Sequence, residues 1–300
     1  MNAIEIKDLQ FSYDSKESIL SDLNLEVPEG SIFGFLGPNG VGKTTSLKLI
    51  LNLLKNTSSG SIKIFDQDIR DSYPNYLSQI GSMIEEPSVY DHLSAHENLK
   101  IWSQYFDLNK YRIPEILELI GLSHVGRKKV RSFSTGMKQR LGLGIALLNN
   151  PKILILDEPT NGLDPIGINE LRELLLHLKS EGKTILLSSH ILSEVEKLVD
   201  HVGIINHGTI VYQGTLKNLK DITNKNLSVK IYTNNNSKAT EILSSQFNCV
   251  NQAGYIDVTI PSLDEINQLV AILLENDIQL HQIIQDQLNL ENIFINLTQS

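Results

Sequence analysis

Gly37-Pro38-Asn39-Gly40-Val41-Gly42-Lys43-Thr44 fits G-x-x-x-x-G-K-[ST], the phosphate-binding loop, and its flanks supply the setting that loop requires. Ser31-Ile32-Phe33-Gly34-Phe35-Leu36 ahead of it reads as a buried strand. From Thr45 onward, Leu47, Ile50, Leu51 and Leu54 fall on one helical face. Strand, glycine turn and helix together let backbone N–H groups converge on anionic oxygens at the positive end of a helix. Lys43 then reaches the β- and γ-phosphates, and Thr44 offers its hydroxyl to Mg²⁺. A ligand-free glycine turn is the alternative, and the full pattern between strand and helix weighs against it. Residues 37–45 therefore read as a nucleoside-triphosphate site.

A second strand end completes that chemistry. Ile153-Leu154-Ile155-Leu156 is uniformly apolar, as a parallel strand covered on both faces is, and Thr184-Ile185-Leu186-Leu187-Ser188 repeats the character. Leu171, Leu174, Leu175 and Leu178 mark a crossover helix between them. Strand–helix–strand order predicts a parallel sheet with its ligand at the strand C-termini. Asp157 and Glu158 emerge there. Asp157 is placed to hold Mg²⁺ through its water shell, and Glu158 to polarise an attacking water as general base. Two adjacent carboxylates ending a buried strand are costly without a cation nearby.

Residues 1–30 alternate apolar and polar, which predicts antiparallel strands; 61–65 and 80–84 read as further strands. From about Ala95 to Leu148 the pattern is helical, with Leu99, Trp102, Tyr105 and Phe106 on a stripe expected to be core. Near Leu219 Asn, Gln and Ser become frequent. Beyond it, strands at Leu227–Thr233 and Tyr255–Ile260 and a helix at Lys238–Phe247 are predicted. A second helix from Leu263, boxed by Ser262 and Glu265, a last strand at 280–285 and a short helix at 290–298 follow. This is a small α+β appendage of ferredoxin-like pattern.

The 300 residues carry a net charge of −9, which argues against a general nucleic-acid binder. No apolar run approaches the roughly 20 residues that cross a bilayer, and residues 1–8 have no signal-peptide core. The lone Cys249 excludes an internal disulfide, suits a reducing compartment and reads as a small buried hydrophobe. A cytosolic chain is expected, one that must borrow a membrane subunit to act at a membrane.

With these motifs in order, roughly residues 1–215 resemble the ATP-binding subunit of an ABC transporter. The resemblance implies an α/β fold: a P-loop NTPase core with a mainly parallel sheet, an N-terminal antiparallel β subdomain and an inserted helical subdomain at about 86–150. The nucleotide domain spans 1–218 and the α+β appendage 219–300. Phe133-Ser134-Thr135-Gly136-Met137-Lys138-Gln139-Arg140 corresponds to the family's signature, which faces the γ-phosphate of ATP held by a second subunit. Ser134 is a good helix cap, and Gly136 permits close backbone approach. The resemblance further implies that Tyr13 stacks on adenine, His190 contacts the γ-phosphate and Asp164 lies in the loop crossing the dimer interface. Where the family normally has a glutamine, this chain has Glu85, and its signature reads Ser-Thr-Gly-Met. Both departures, and Leu290-Glu291-Asn292-Ile293-Phe294, resemble the bacitracin-resistance and lantibiotic self-immunity branch. Glu85 can approach Mg²⁺ or the attacking water with a full charge; an exposed loop carboxylate is the alternative. The expected whole is an ATPase with ATP and Mg²⁺, paired with a second copy. It sits peripherally at the cytoplasmic face on integral membrane permease subunits. Another drug exporter, a non-transport ABC ATPase and a non-hydrolysing sensor are the other readings; the presence of Glu158 and His190 opposes the sensor.

Overall fold

The computed structural model describes residues 1–13, 18–55, 59–191, 195–223, 227–262 and 264–285. The chain divides into Met1–Leu216 and Lys217–Ser300, a division that follows the compositional change near Leu219. In the first unit the order begins β1 (Asn2–Phe11), β2 (Leu20–Pro28), β3 (Ile32–Leu36), α1 (Lys43–Ile50), β4 (Ser61–Ile64), β5 (Gln67–Asp68), α2 (Ile69–Ser72) and β6 (Ile80–Met83). It continues α3 (Ala95–Tyr105), α4 (Arg112–Leu119), α5 (Thr135–Leu147), β7 (Ile153–Leu156), α6 (Pro165–Ser180), β8 (Thr184–Ser189), β9 (His201–Asn206) and β10 (Thr209–Thr215).

Alternation makes β1 and β2 two-faced. Ile4, Ile6, Leu9, Leu23, Leu25 and Val27 turn inward and are buried, while the strands pair antiparallel with Ile6 opposite Leu25. This sheet runs β2-β1-β4-β5. The second runs β10-β9-β3-β8-β7-β6; its pairs from β9 to β6 are parallel, and β10 closes one edge antiparallel. β3, β7 and β8 are buried along their whole lengths, which is why their sequences do not alternate. One core joins Ile4 and Ile6 of the first sheet, Phe33, Phe35 and Ile155 of the second, and Leu47 and Ile50 of α1. Tyr76 anchors the far end of α1 by donating its buried hydroxyl to the Ile50 carbonyl at 3.0 Å.

Three helices, α3, α4 and α5, follow β6. Ser94 and Glu97 form a reciprocal capping box that starts α3. The expected aromatic core stripe on α3 does not hold as a whole. Leu99 is buried and Trp102 and Phe106 stack half-buried at 6.3 Å, but Tyr105 is 77 % exposed. At 3.6 residues per turn Tyr105 lies about 120° round the helix from Leu99, outside the buried face. α5 crosses β6 at very short range. A Cβ on Gly81 would stand 2.0 Å from the Ala146 carbonyl oxygen, and one on Gly142 would stand 2.8 Å from Pro87 Cβ.

The second unit begins with α7 (Leu216–Thr223), which spans the division. It continues β11 (Leu227–Thr233), α8 (Asn236–Leu243), β12 (Asn248–Asn251), β13 (Ile256–Ile260), α9 (Glu265–Glu275) and β14 (Leu280–Gln285). The strand order β12-β13-β11-β14 is all antiparallel, the arrangement of a ferredoxin-like βαββαβ unit. Val229, Ile231, Leu243, Val258, Leu269 and Leu273 form its core. The expected helix at Lys238–Phe247 instead starts at Asn236, because Asn235 accepts the Lys238 N–H at 3.1 Å as its cap. The expected Ser262–Glu265 box is not formed: α9 starts at Glu265, whose N–H donates to the Ser262 backbone carbonyl. Leu263 and the segment 290–298 lie outside the described residues. Cys249 is half-buried rather than buried, and burial pushes its thiol up. No helix among the described residues is long and apolar enough to cross a membrane.

Candidate functional site

The central strand β3 delivers the glycine loop to α1. Gly42 caps that helix at φ +107, where an L side chain is strained, and a Cβ there would meet Leu20 Cδ2 at 2.6 Å. Lys43 is 6 % exposed; its Nζ donates to the carbonyls of Gly37 at 2.8 Å and Pro38 at 3.1 Å. The same ammonium lies 3.4 Å from Glu158 Oε1. Asn39 and Gly40 are exposed, and Val41 is half-buried. Thr45 is buried, with its Oγ1 3.3 Å from the Tyr13 hydroxyl. Tyr13 is 61 % exposed and stands edge-on to Phe11 at 5.0 Å, an open aromatic face beside the loop.

Thr44 Oγ1 donates to Asp157 Oδ2 at 2.8 Å, so the loop and the end of β7 meet directly. The other oxygen, Asp157 Oδ1, accepts from Ser188 Oγ at 2.6 Å, and that hydroxyl accepts the Glu158 N–H at 2.8 Å. Glu158 Oε2 lies 2.8 Å from His190 Nδ1. Parallel register explains the convergence. Met83, Leu156 and Leu187 are aligned across β6, β7 and β8, so Glu85, Glu158 and Ser189 each stand two residues beyond, in one row. Glu85 and Glu158 both have left-handed backbones, φ 60 and φ 46. Glu85 is 63 % exposed at its side chain, and Lys48 Nζ donates to its Oε1 at 2.6 Å.

Among the described residues no group of three or more His, Cys, Asp or Glu could cage a metal. The Thr44 hydroxyl beside the buried Asp157 carboxylate is nonetheless a donor set for Mg²⁺, which keeps water and phosphate oxygens and takes one or two oxygens from protein.

Ser134 caps α5, its hydroxyl accepting the Met137 N–H at 3.3 Å. A Cβ on Gly136 would meet Leu163 at 3.3 Å, and one on Gly162 would meet Thr135 at 3.1 Å, so the start of α5 packs on the loop after Glu158. Thr135, Glu85, Asp157, Glu158, Asn161 and Gly162 border one cleft of ≈ 730 Å³. Asp164 caps α6 by accepting the Gly167 N–H at Oδ1, 2.8 Å away. Sequence reasoning missed Ser188 and Lys48. The hydroxyl that interrupts the apolar run of β8 was a readable sign for Ser188.

Residues 20–161 match the ABC transporter family model. The bacitracin transport ATP-binding protein BcrA of Bacillus licheniformis is 43 % identical over 300 residues, 98 % of this chain and 96 % of that protein. The lantibiotic transport ATP-binding protein SrtF of Streptococcus pyogenes is 46 % identical over 228 residues, 75 % of this chain and 97 % of that protein. A solved ATP-binding subunit of an ABC transporter superposes with a TM-score of 0.66 at 32 % identity, covering 74 % of this chain and 93 % of its own.

Proposed function

Because this chain belongs to the ABC transporter family as an ATP-binding, ATP-hydrolysing subunit, we propose that it powers export of bacitracin- or lantibiotic-like peptides and so protects the cell that makes it. Subunits of this family work with membrane permeases. The chain binds such permeases peripherally, at the cytoplasmic face. The observation that carries the chemistry is the row of strand ends, where Thr44, Asp157, Glu158 and His190 meet around Lys43.

In the proposed reaction the loop amides and Lys43 bind the β- and γ-phosphates while Tyr13 stacks on the adenine. Thr44 and Asp157 would hold Mg²⁺, which would supply positive charge to the phosphate oxygens. Glu158 orients a water and takes its proton as the water attacks the γ-phosphorus. His190, bonded to Glu158, holds that carboxylate in place and presents its ring to the transferred group. The Ser134–Met137 turn and Asp164 serve a second copy, whose phosphate loop faces this α5. ATP then bridges two halves that part when hydrolysis removes the bridge. Glu85 stands one strand from Glu158, close enough in register to act on the same water or metal.

The test is protection. Cells expressing the wild-type chain with its permease subunits should withstand bacitracin or a lantibiotic, and Glu158→Gln should abolish that. Wild type that protects against no membrane-active peptide would overturn the substrate class and leave an exporter ATPase.

A further inference from the structure

Two lysines on one short segment each hold a glutamate from a neighbouring strand end. Lys43 Nζ lies 3.4 Å from Glu158, and Lys48 Nζ lies 2.6 Å from Glu85. The two glutamates are equivalent in place: each is two residues past a parallel strand, and each has a left-handed backbone. Long side chains visit that region sparingly and remain there where neighbours hold them. For Glu158 the neighbours are Lys43, Ser188 and His190. For Glu85 the neighbour is Lys48.

The pair is placed to act on more than itself. Lys48 stands on the same helix, α1, that Lys43 and the phosphate-binding loop open. On the other side, Pro87 follows Glu85 by two residues and presses on α5 at Gly142, where a Cβ would come within 2.8 Å. Asp91, further along the same loop, accepts from Lys138 of α5 at 2.8 Å.

We infer that Lys48 is a positioning residue: through Glu85 it ties the phosphate-binding helix α1 to the loop that seats α5, and so sets where the start of α5 stands. The inference rests on the nucleotide reading for what α1 and α5 each hold, but not for the tie itself.

Hydrogen exchange of the full-length chain reads the tie directly. Lys48→Met should speed exchange of the amides at 85–91 by about two- to fivefold, the range of a partly exposed ion pair. It should lower kcat for ATP while nucleotide affinity stays within about twofold. Lys48→Arg should keep parental exchange, and the swap of Lys48→Glu with Glu85→Lys should restore protection lost in Lys48→Met. Unchanged exchange in Lys48→Met overturns the inference, as does a folded swap variant whose loop stays unprotected. A swap that restores protection without hydrolysis supports the tie and assigns the Glu85 carboxylate a chemical task besides. If Glu158→Gln hydrolyses ATP normally while the exchange results hold, the reading of the site fails and the tie stands.

Discussion

At Glu158 three constraints meet: its carboxylate is shared by Lys43 and His190, its N–H is given to Ser188, and its backbone is left-handed. Glu158→Gln keeps the shape but removes the base, so hydrolysis should fall by about 10² or more while ATP binding persists. Near-normal turnover in a steady-state ATPase assay would remove Glu158 from that role. Ser188 makes a different prediction. It is fully buried and satisfies both Asp157 Oδ1 and the Glu158 N–H. Ser188→Ala should cost about 1–3 kcal/mol by leaving buried polar atoms unpaired. Thermal unfolding should register this as a drop of roughly 2–4 °C for each kcal/mol. Lys43, Thr44, Asp157 and Glu158 were legible because their chemistry is written in adjacent residues. Ser188 and Lys48 were not, since their partners lie 31 and 37 positions away: parallel register brings Ser188 to Asp157, and the placement of α1 brings Lys48 to Glu85.

Among the elements, α3 has a defined pH response. The Ser94 backbone N–H first, then Lys129 and the Ser94 hydroxyl, lower the Glu97 carboxyl from 4.5 to about 2. A group depressed on folding stabilises above its unfolded value, so the box is fully effective above about 4.5 and is lost as pH falls through about 2. Carboxyl titration followed by NMR should find Glu97 near 2; a midpoint near 4.5 would mean the box is open in solution. Gly81 and Gly142 make a paired prediction. Gly81→Ala drives a methyl into a backbone carbonyl at 2.0 Å, whereas Gly142→Ala meets the side chains of Pro87 and Met83 at 2.8 and 2.9 Å. Overpacking of the second kind costs about 1–3 kcal/mol, partly offset by alanine's helix preference. Urea denaturation should therefore rank Gly81→Ala the more damaging. Strand types followed from alternation or its absence, but the helix limit at Asn236 depended on the Asn235 cap, and that at Glu265 on a turn closed by backbone alone.

For the whole molecule, the proposed head-to-tail pair places one copy's loop against the other's α5. Mixing Lys43→Ala chains with Gly136→Asp chains leaves one composite site with both defects and one with neither. Mixed dimers should regain partial ATPase activity that neither variant has alone; no recovery in dimers shown to form would argue against that arrangement. Gly136 suits the test because its closest neighbour, at 3.3 Å, is the movable end of the Leu163 side chain. The order of the six-stranded sheet was not readable, although its parallel character was. Strand–helix–strand succession fixes direction, but the insertion of β9 beside β3 depends on packing that no local pattern carries. In the C-terminal unit β12 went unforeseen, because Asn248-Cys249-Val250-Asn251 is a short edge with little apolar signal.

The glycine crossing gives α5 the mechanics of a lever with a fulcrum at one end. Gly142 sits against Pro87, Gly144 against Ile120, and Ala146 against Gly81, all in the C-terminal half of the helix. Its 13 residues span about 20 Å at 1.5 Å per residue. A tilt of about 10° about that crowded end would carry the opposite end about 3 Å, the length of one hydrogen bond. A small rotation about that end thereby becomes, at Ser134, a displacement of a hydrogen bond's length.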